Sequence, residues 1–218
     1  MAKSSKQWLR RHVTDPYVQR AKAQGYRSRA AYKLLEIDSR EHLLRPGATV
    51  VDLGAAPGSW SQVAAARVKP GGRVIAVDLL DIAPMSGVTV LKGDFRDARL
   101  LEALGGHEAD VVLSDLSPNL SGIANVDQAR AAELSFAAID FCAKALRRDG
   151  VFVLKAFHGE AFAEVMQRLK HEFVSVSVRK PGASRGESKE TYLVCRSMPP
   201  KARNIDPSRR SLKQGVST

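Results

Sequence analysis

The residues with the most chemical potential lie in Asp52-Leu53-Gly54-Ala55-Ala56-Pro57-Gly58-Ser59-Trp60, which follows an apolar run and opens a helical pattern. Glycine at such a strand-to-helix turn lets the chain bend tightly and lets a ligand approach the main chain. Acids recur where later apolar runs end, at Asp78, Asp94 and Asp115. Carboxylates accept hydrogen bonds from the hydroxyl and amino groups that a nucleoside offers. The spacing Gly54-x-x-x-Gly58, with Pro57 inside, departs from G-x-G-x-x-G and lacks the third glycine of a dinucleotide site. The set reads as a nucleoside crevice with no pyrophosphate to cradle. No metal is expected: His12, His42, His107, His158 and His171 lack ligand spacing, and Cys142 and Cys195 read as buried hydrophobes.

Such a crevice needs elements to build it. Thr49–Leu53, Arg73–Asp78, Val88–Lys92, Asp110–Asp115 and Val151–Lys155 read as strands. Helical stretches over Ser61–Val68, Asp97–Leu104, Asp127–Arg148 and Glu160–Lys170 separate or follow them, and a further helix runs from Ser28 to about His42. Repeated strand–helix alternation predicts an α/β sandwich around a mostly parallel sheet with right-handed crossovers. Phe173–Arg179 and Thr191–Arg196 have no helix between them and are expected to pair as an antiparallel hairpin, giving seven strands in all. In an open parallel sheet the ligand crevice lies beyond the carboxyl ends of the strands, where the acids fall.

Charge is segregated along the 218 residues, whose formal net charge is +11. Residues 1–33 carry +8, residues 196–218 carry +5, and the stretch between carries −2. Basic termini on an electrically ordinary core are the footprint of a phosphate-bearing partner. Residues 1–27 read as a basic arm for that partner, 28–196 as the domain that builds the crevice and 197–218 as a flexible basic tail. Arg10, Arg11, Arg20, Lys22, Arg27, Arg29, Arg179, Lys180 and Arg185 are candidate phosphate contacts. No apolar run approaches membrane-spanning length and the N-terminus lacks a signal-peptide core, so a cytoplasmic monomer is expected.

From about Gly25 to Val194 the chain resembles the FtsJ/RrmJ (RlmE) ribose 2′-O-methyltransferases. The residues carrying the resemblance are Tyr26–Leu34, Asp52–Gly58 with Trp60, Gly93-Asp94-Phe95, Ser114-Asp115 with Pro118-Asn119, Lys155-Ala156-Phe157, Arg179-Lys180-Pro181, Ala183-Ser184-Arg185 and Glu190 with Tyr192-Leu193-Val194. The resemblance implies a Rossmann-like methyltransferase fold and a catalytic tetrad at Lys33, Asp115, Lys155 and Glu190. It implies S-adenosylmethionine as methyl donor, with contacts at Gly58, Trp60, Asp78, Asp94 and Asp115; Gly54 joins them from the loop reading. It implies a uridine of large-subunit (23S) ribosomal RNA as acceptor, within the large subunit. Ribose methylation of tRNA and a non-catalytic role in ribosome assembly are the alternatives. Departures are Ser59 where a second glycine is expected, His158 in place of a neutral polar residue, and a rearranged Asp81–Met85 segment.

The chemistry is coherent without the family. A ribose 2′-hydroxyl is a poor nucleophile, so transfer needs in-line placement and removal of its proton. A lysine ending an apolar strand, as Lys155 does, loses hydration, which disfavours its charged form; a neighbouring Lys33 adds to this, while Asp115 and Glu190 oppose it. Such a cluster titrates as a unit. Lys155, neutral, is expected to accept the proton, with Asp115 and Glu190 orienting it and Lys33 holding the substrate oxygen. The segment Asp115-Leu116-Ser117-Pro118-Asn119-Leu120 lacks the aromatic that enzymes acting on exocyclic amines use to stack a base.

Overall fold

A computed structural model describes residues 14–119, 121–184 and 188–198. The order is α1 (Pro16–Ala23), α2 (Ala30–Glu41), β1 (Thr49–Leu53), α3 (Ser59–Arg67), β2 (Arg73–Asp78), β3 (Val88–Lys92), α4 (Ala98–Ala103), β4 (Ala109–Ser114), α5 (Ala124–Ala145), β5 (Leu146–Phe157), α6 (Phe162–Glu172), β6 (Ser175–Arg179) and β7 (Glu190–Arg196). The seven strands form one sheet, ordered β3-β2-β1-β4-β5-β7-β6. Pairings from β3 through β5 are parallel, while β7 inserts antiparallel between β5 and β6. The expected fold class and hairpin are both present.

The two faces of the sheet bury separate cores. Val50, Val74, Leu113, Val153 and Val194 pack with Leu34 and Ile37 of α2 and Trp60, Val63 and Ala64 of α3. Val51, Ile75, Val112, Phe152 and Leu193 pack with Leu100 of α4, Ala138, Ile139 and Cys142 of α5, and Val165 and Leu169 of α6. Strand alternation sorts these sets, since successive side chains leave opposite faces. The central strands are covered on both faces, which is why they read as unbroken apolar runs.

Two elements differ from expectation. Residues 16–23 form a helix, α1, where the sequence reads as an arm. Asp15 caps it by accepting from the Tyr17 N–H at 3.0 Å, and Pro16 sits at its first position. Tyr17 and Arg20 then pack on Tyr32 of α2. Strand β5 also starts five residues early. Leu146 pairs with Ala109 and Val151 with Val111, so Arg147–Gly150 form an irregularity within the ladder rather than a helix terminus. Arg147 steadies it by bonding both Asp110 and Asp149.

Candidate active site

Adjacent strands deliver the charged residues to one end of the sheet. Lys155 pairs with Tyr192 across β5 and β7, and Ser114 with Leu154 across β4 and β5, which sets Asp115 beside Lys155. Because β7 runs antiparallel, its first residue, Glu190, reaches the carboxyl ends of its parallel neighbours. Lys33 arrives from α2 on the same face. Trp60 fixes that helix: its indole N–H donates to the Ala30 carbonyl at 2.9 Å, and its ring lies 5.5 Å from that of Tyr192.

The four expected catalytic residues therefore meet. The Lys155 Nζ donates to the Asp115 carbonyl at 2.7 Å and lies 3.2 Å from Asp115 Oδ1. The Lys33 Nζ lies 2.5 Å from Glu190 Oε1. Between the pairs stands Tyr192, wholly buried, whose hydroxyl donates to Asp115 Oδ1 at 3.0 Å and whose ring centre is 5.7 Å from the Lys33 Nζ. Burial works to raise the Glu190 carboxyl, but the hydrogen bond and charge of Lys33 outweigh it and hold it below the usual carboxylate range. Burial pushes the Tyr192 phenol far up, and the nearby carboxylates add to this, so it remains a donor. Sequence reasoning gave Tyr192 no role. The alternation Glu190, Tyr192, Val194 along β7 was the available signal, since it sends all three side chains to the face that carries Lys155.

The nucleoside crevice begins one strand away. Gly54 has φ +71°, and a Cβ there would lie 2.6 Å from Leu116 Cδ2; Gly58 has φ +101°, and its Cβ would lie 2.5 Å from Met85 Cε. Both positions require glycine on conformation, and Gly54 also on space, because its Cβ would press on the Leu116 main chain as well. At the end of β2, Asp78 accepts the Ala56 N–H at 2.9 Å and the Leu80 N–H at 2.8 Å, one on each oxygen, leaving lone pairs for a ligand's hydroxyls. Asp94, after β3, is bonded through both oxygens to Arg96, which holds its carboxyl below the usual range. These acceptors fit a nucleoside bearing hydroxyl and amino donors. Trp60 is the exception. Its indole is 2% exposed and its N–H is committed, so the side chain is core and only its backbone is left to face a ligand.

Two features were not foreseen. Asp52, the first residue of the loop motif, is fully buried beneath α3; Ser61 donates to its Oδ2 at 2.5 Å, and its Oδ1 has no partner among the described residues. Burial, then the charges of Asp115 and Asp78, push its carboxyl up to about 7 against the Ser61 bond. Several candidate phosphate contacts are also engaged internally. Arg27 donates to the carbonyls of Pro57 at 2.9 Å and Pro84 at 3.0 Å, Arg29 binds Asp15 and the Ala183 carbonyl, and Arg179 binds Glu41. Arg20, Lys22 and Lys180 are exposed, while Arg10, Arg11 and Arg185 lie outside the described residues. Among the described residues no metal-binding cluster occurs and no helix is long and apolar enough to cross a membrane.

Residues 26–198 match the family described as FtsJ-like methyltransferase. The chain is 54% identical over 196 residues to ribosomal RNA large subunit methyltransferase E of Azoarcus sp. strain BH72, covering 88% of this chain and 96% of that protein. It is 47% identical over 199 residues to the protein of the same name from Pseudomonas aeruginosa PAO1, covering 89% and 96%. Among solved structures, a putative ribosomal RNA methyltransferase from Plasmodium falciparum superposes with a TM-score of 0.72 at 29% identity, covering 79% of this chain and 98% of that one. Fibrillarin from Aeropyrum pernix, solved with natively bound S-adenosyl-L-methionine, shares the fold alone, with a TM-score of 0.54 at 15% identity over 76% of this chain and 73% of that one. On the strength of that match and those relatives, the chain belongs to the FtsJ-like methyltransferase family.

Proposed function

We propose that this methyltransferase methylates a ribose 2′-hydroxyl, that of a uridine in large-subunit (23S) ribosomal RNA, using S-adenosylmethionine. The observation carrying the reading is the Lys155 amine, its side chain 8% exposed and held by both the carbonyl and the carboxylate of Asp115 at the strand ends beside the nucleoside crevice. The names of the relatives supply the RNA.

When bound, the cofactor supplies a methyl carbon made electrophilic by its sulfonium. Gly58, the main chain at Trp60, Asp78, Asp94 and Asp115 would hold it. Lys155, neutral in the reactive state, takes the 2′-hydroxyl proton; Asp115 fixes the amine, while Lys33, held by Glu190, holds the substrate oxygen. Such a proton acceptor is worth about 10²–10⁴-fold in rate. The basic arm of residues 1–27 and the tail of 197–218 would follow the phosphates, with the enzyme acting as a cytoplasmic monomer on the large subunit. The test is Lys155→Ala: methylation of undermethylated large subunits should fall at least 100-fold while calorimetry still detects cofactor binding. Near-normal turnover would remove the proposed role.

A further inference from the structure

The segment that leads into α2 carries a cation that the tetrad does not use. The Arg27 guanidinium donates from Nη1 to the Pro57 carbonyl at 2.9 Å and from Nη2 to the Pro84 carbonyl at 3.0 Å. Pro57 lies between β1 and α3, and Pro84 lies between β2 and β3. One side chain therefore spans two of the loops that frame the nucleoside crevice. Its acceptors are main-chain oxygens, and no carboxylate pairs with it among the described residues. The guanidinium is used as a rigid fork of donors, which a point charge cannot imitate.

Its placement is set from several directions. A Cβ added to Gly58 would lie 2.8 Å from Arg27 Nη1 and 2.5 Å from Met85 Cε, so both side chains close on the turn that opens α3. The Arg27 main chain is held as well. Gln62 of α3 accepts the Arg27 N–H at 3.1 Å through Oε1 and donates through Nε2 to the Gly25 carbonyl at 2.8 Å. The Ser28 and Ser59 hydroxyls meet at 2.7 Å. Residues 25–28 are thus stitched to the start of α3, and the fork is aimed at the two carbonyls from a fixed base.

We propose that Arg27 is a positioning residue for the methyl donor, tying the Pro57-Gly58 turn to the Pro84 segment, and that it is not a phosphate contact. The inference rests on the cofactor site proposed above. With the bridge in place, both crevice walls are ordered before the cofactor arrives. Without it, binding must supply the cost of ordering them, which weakens affinity. Once bound, the cofactor itself holds the walls, so the chemical step is largely kept.

The experiment compares the full-length wild type with Arg27→Ala and Arg27→Lys. Calorimetry with S-adenosylmethionine should show Arg27→Ala binding about 10-fold more weakly or worse, the scale of one hydrogen bond from a charged group. Its KM for the cofactor should rise by the same factor while most of kcat is kept at saturating cofactor. The slope of log RNA affinity against log salt should match the wild type. An unchanged cofactor affinity would overturn the assignment, and so would a slope smaller by about 1, which marks a phosphate contact. Arg27→Lys keeps the charge without the fork, and it also serves if the alanine variant does not fold. It should leave the slope alone and recover only part of the cofactor affinity; full recovery would overturn the bridge. A wild type that binds cofactor yet methylates no ribose would overturn the ribose reading instead, and the calorimetric comparison would still decide the role of Arg27.

Discussion

The carboxyl of Asp52 makes stability depend on pH in a direction opposite to most carboxylates. It is fully buried, faces Asp115 and Asp78 electrostatically rather than a cation, and titrates near 7 instead of its ordinary 3.8. Between those values the folded protein keeps a proton that the unfolded chain has released, so stability falls as pH rises through the window. At about 1.4 kcal/mol per unit, the full window is worth ~4 kcal/mol, of which roughly 2–3 kcal/mol falls between pH 5 and 8. Asp52→Asn keeps the shape and removes the titration. Urea unfolding of both proteins at pH 5 and at pH 8 isolates this group, because every other titration cancels in the difference. The variant should gain ~2–3 kcal/mol on the wild type between pH 5 and pH 8, whatever fixed cost the amide adds. A difference between the two proteins that is flat with pH would show that Asp52 is ionised and compensated in the folded state, and the reasoning would fail.

Removing Lys33 leaves Glu190 buried beside it without its cation, so Lys33→Met should destabilise by roughly 3–5 kcal/mol near neutral pH. The Glu190 carboxyl is depressed, so the pair's contribution is present above the ordinary carboxylate range and is lost as pH falls through the lowered value; the deficit measured by urea unfolding should therefore shrink in acid. Tyr192→Phe deletes the hydroxyl that donates to Asp115 Oδ1 and should lower kcat for methyl transfer more than tenfold with cofactor affinity kept; an unchanged kcat would limit Tyr192 to packing. In RNA binding, Lys22→Ala and Lys180→Ala should each reduce the slope of log affinity against log salt by about 1. Arg179→Ala should leave the slope alone and lower the unfolding midpoint, because that guanidinium serves Glu41.

The strand ends and the helices between them were legible because apolar runs and helical periods are local signals, and the acids at those ends marked the crevice. What sequence could not give was the commitment of each charge. Arg29 and Arg179 count toward the basic patch in composition, yet the fold spends them on Asp15 and on Glu41. Glu36 shows the same for acids: it accepts the Gly182 N–H at 2.6 Å and the Ala183 N–H at 3.1 Å, pinning the loop that leads to β7 against the helix that carries Lys33. Apart from the Arg29–Asp15 pair, 14 residues apart, these contacts span more than 130 residues of sequence, and no periodicity encodes them. Helix α1 was missed for a different reason. Its Asp15-Pro16 start is a strong local signal, but its basic composition drew the reading toward an arm.

The site's hydrogen-bond count bears on how Lys155 works. Asp115 holds its Nζ by one hydrogen bond, to the main-chain carbonyl at 2.7 Å, with Oδ1 at an ion-pair distance of 3.2 Å. An ammonium has three N–H donors and no lone pair, whereas a neutral amine has two donors and a lone pair. In the proposed mechanism only the neutral form can take the proton, since an ammonium facing the 2′-oxygen could only donate to it. A neutral amine keeps the bond to the carbonyl with one donor and can turn its lone pair to the substrate. Lys33, paired with Glu190, would then stabilise the developing negative charge on that oxygen. Two lysines at one site would thus divide the work through their partners: Glu190 holds Lys33 for the oxygen, and the Asp115 carbonyl holds Lys155 for the proton.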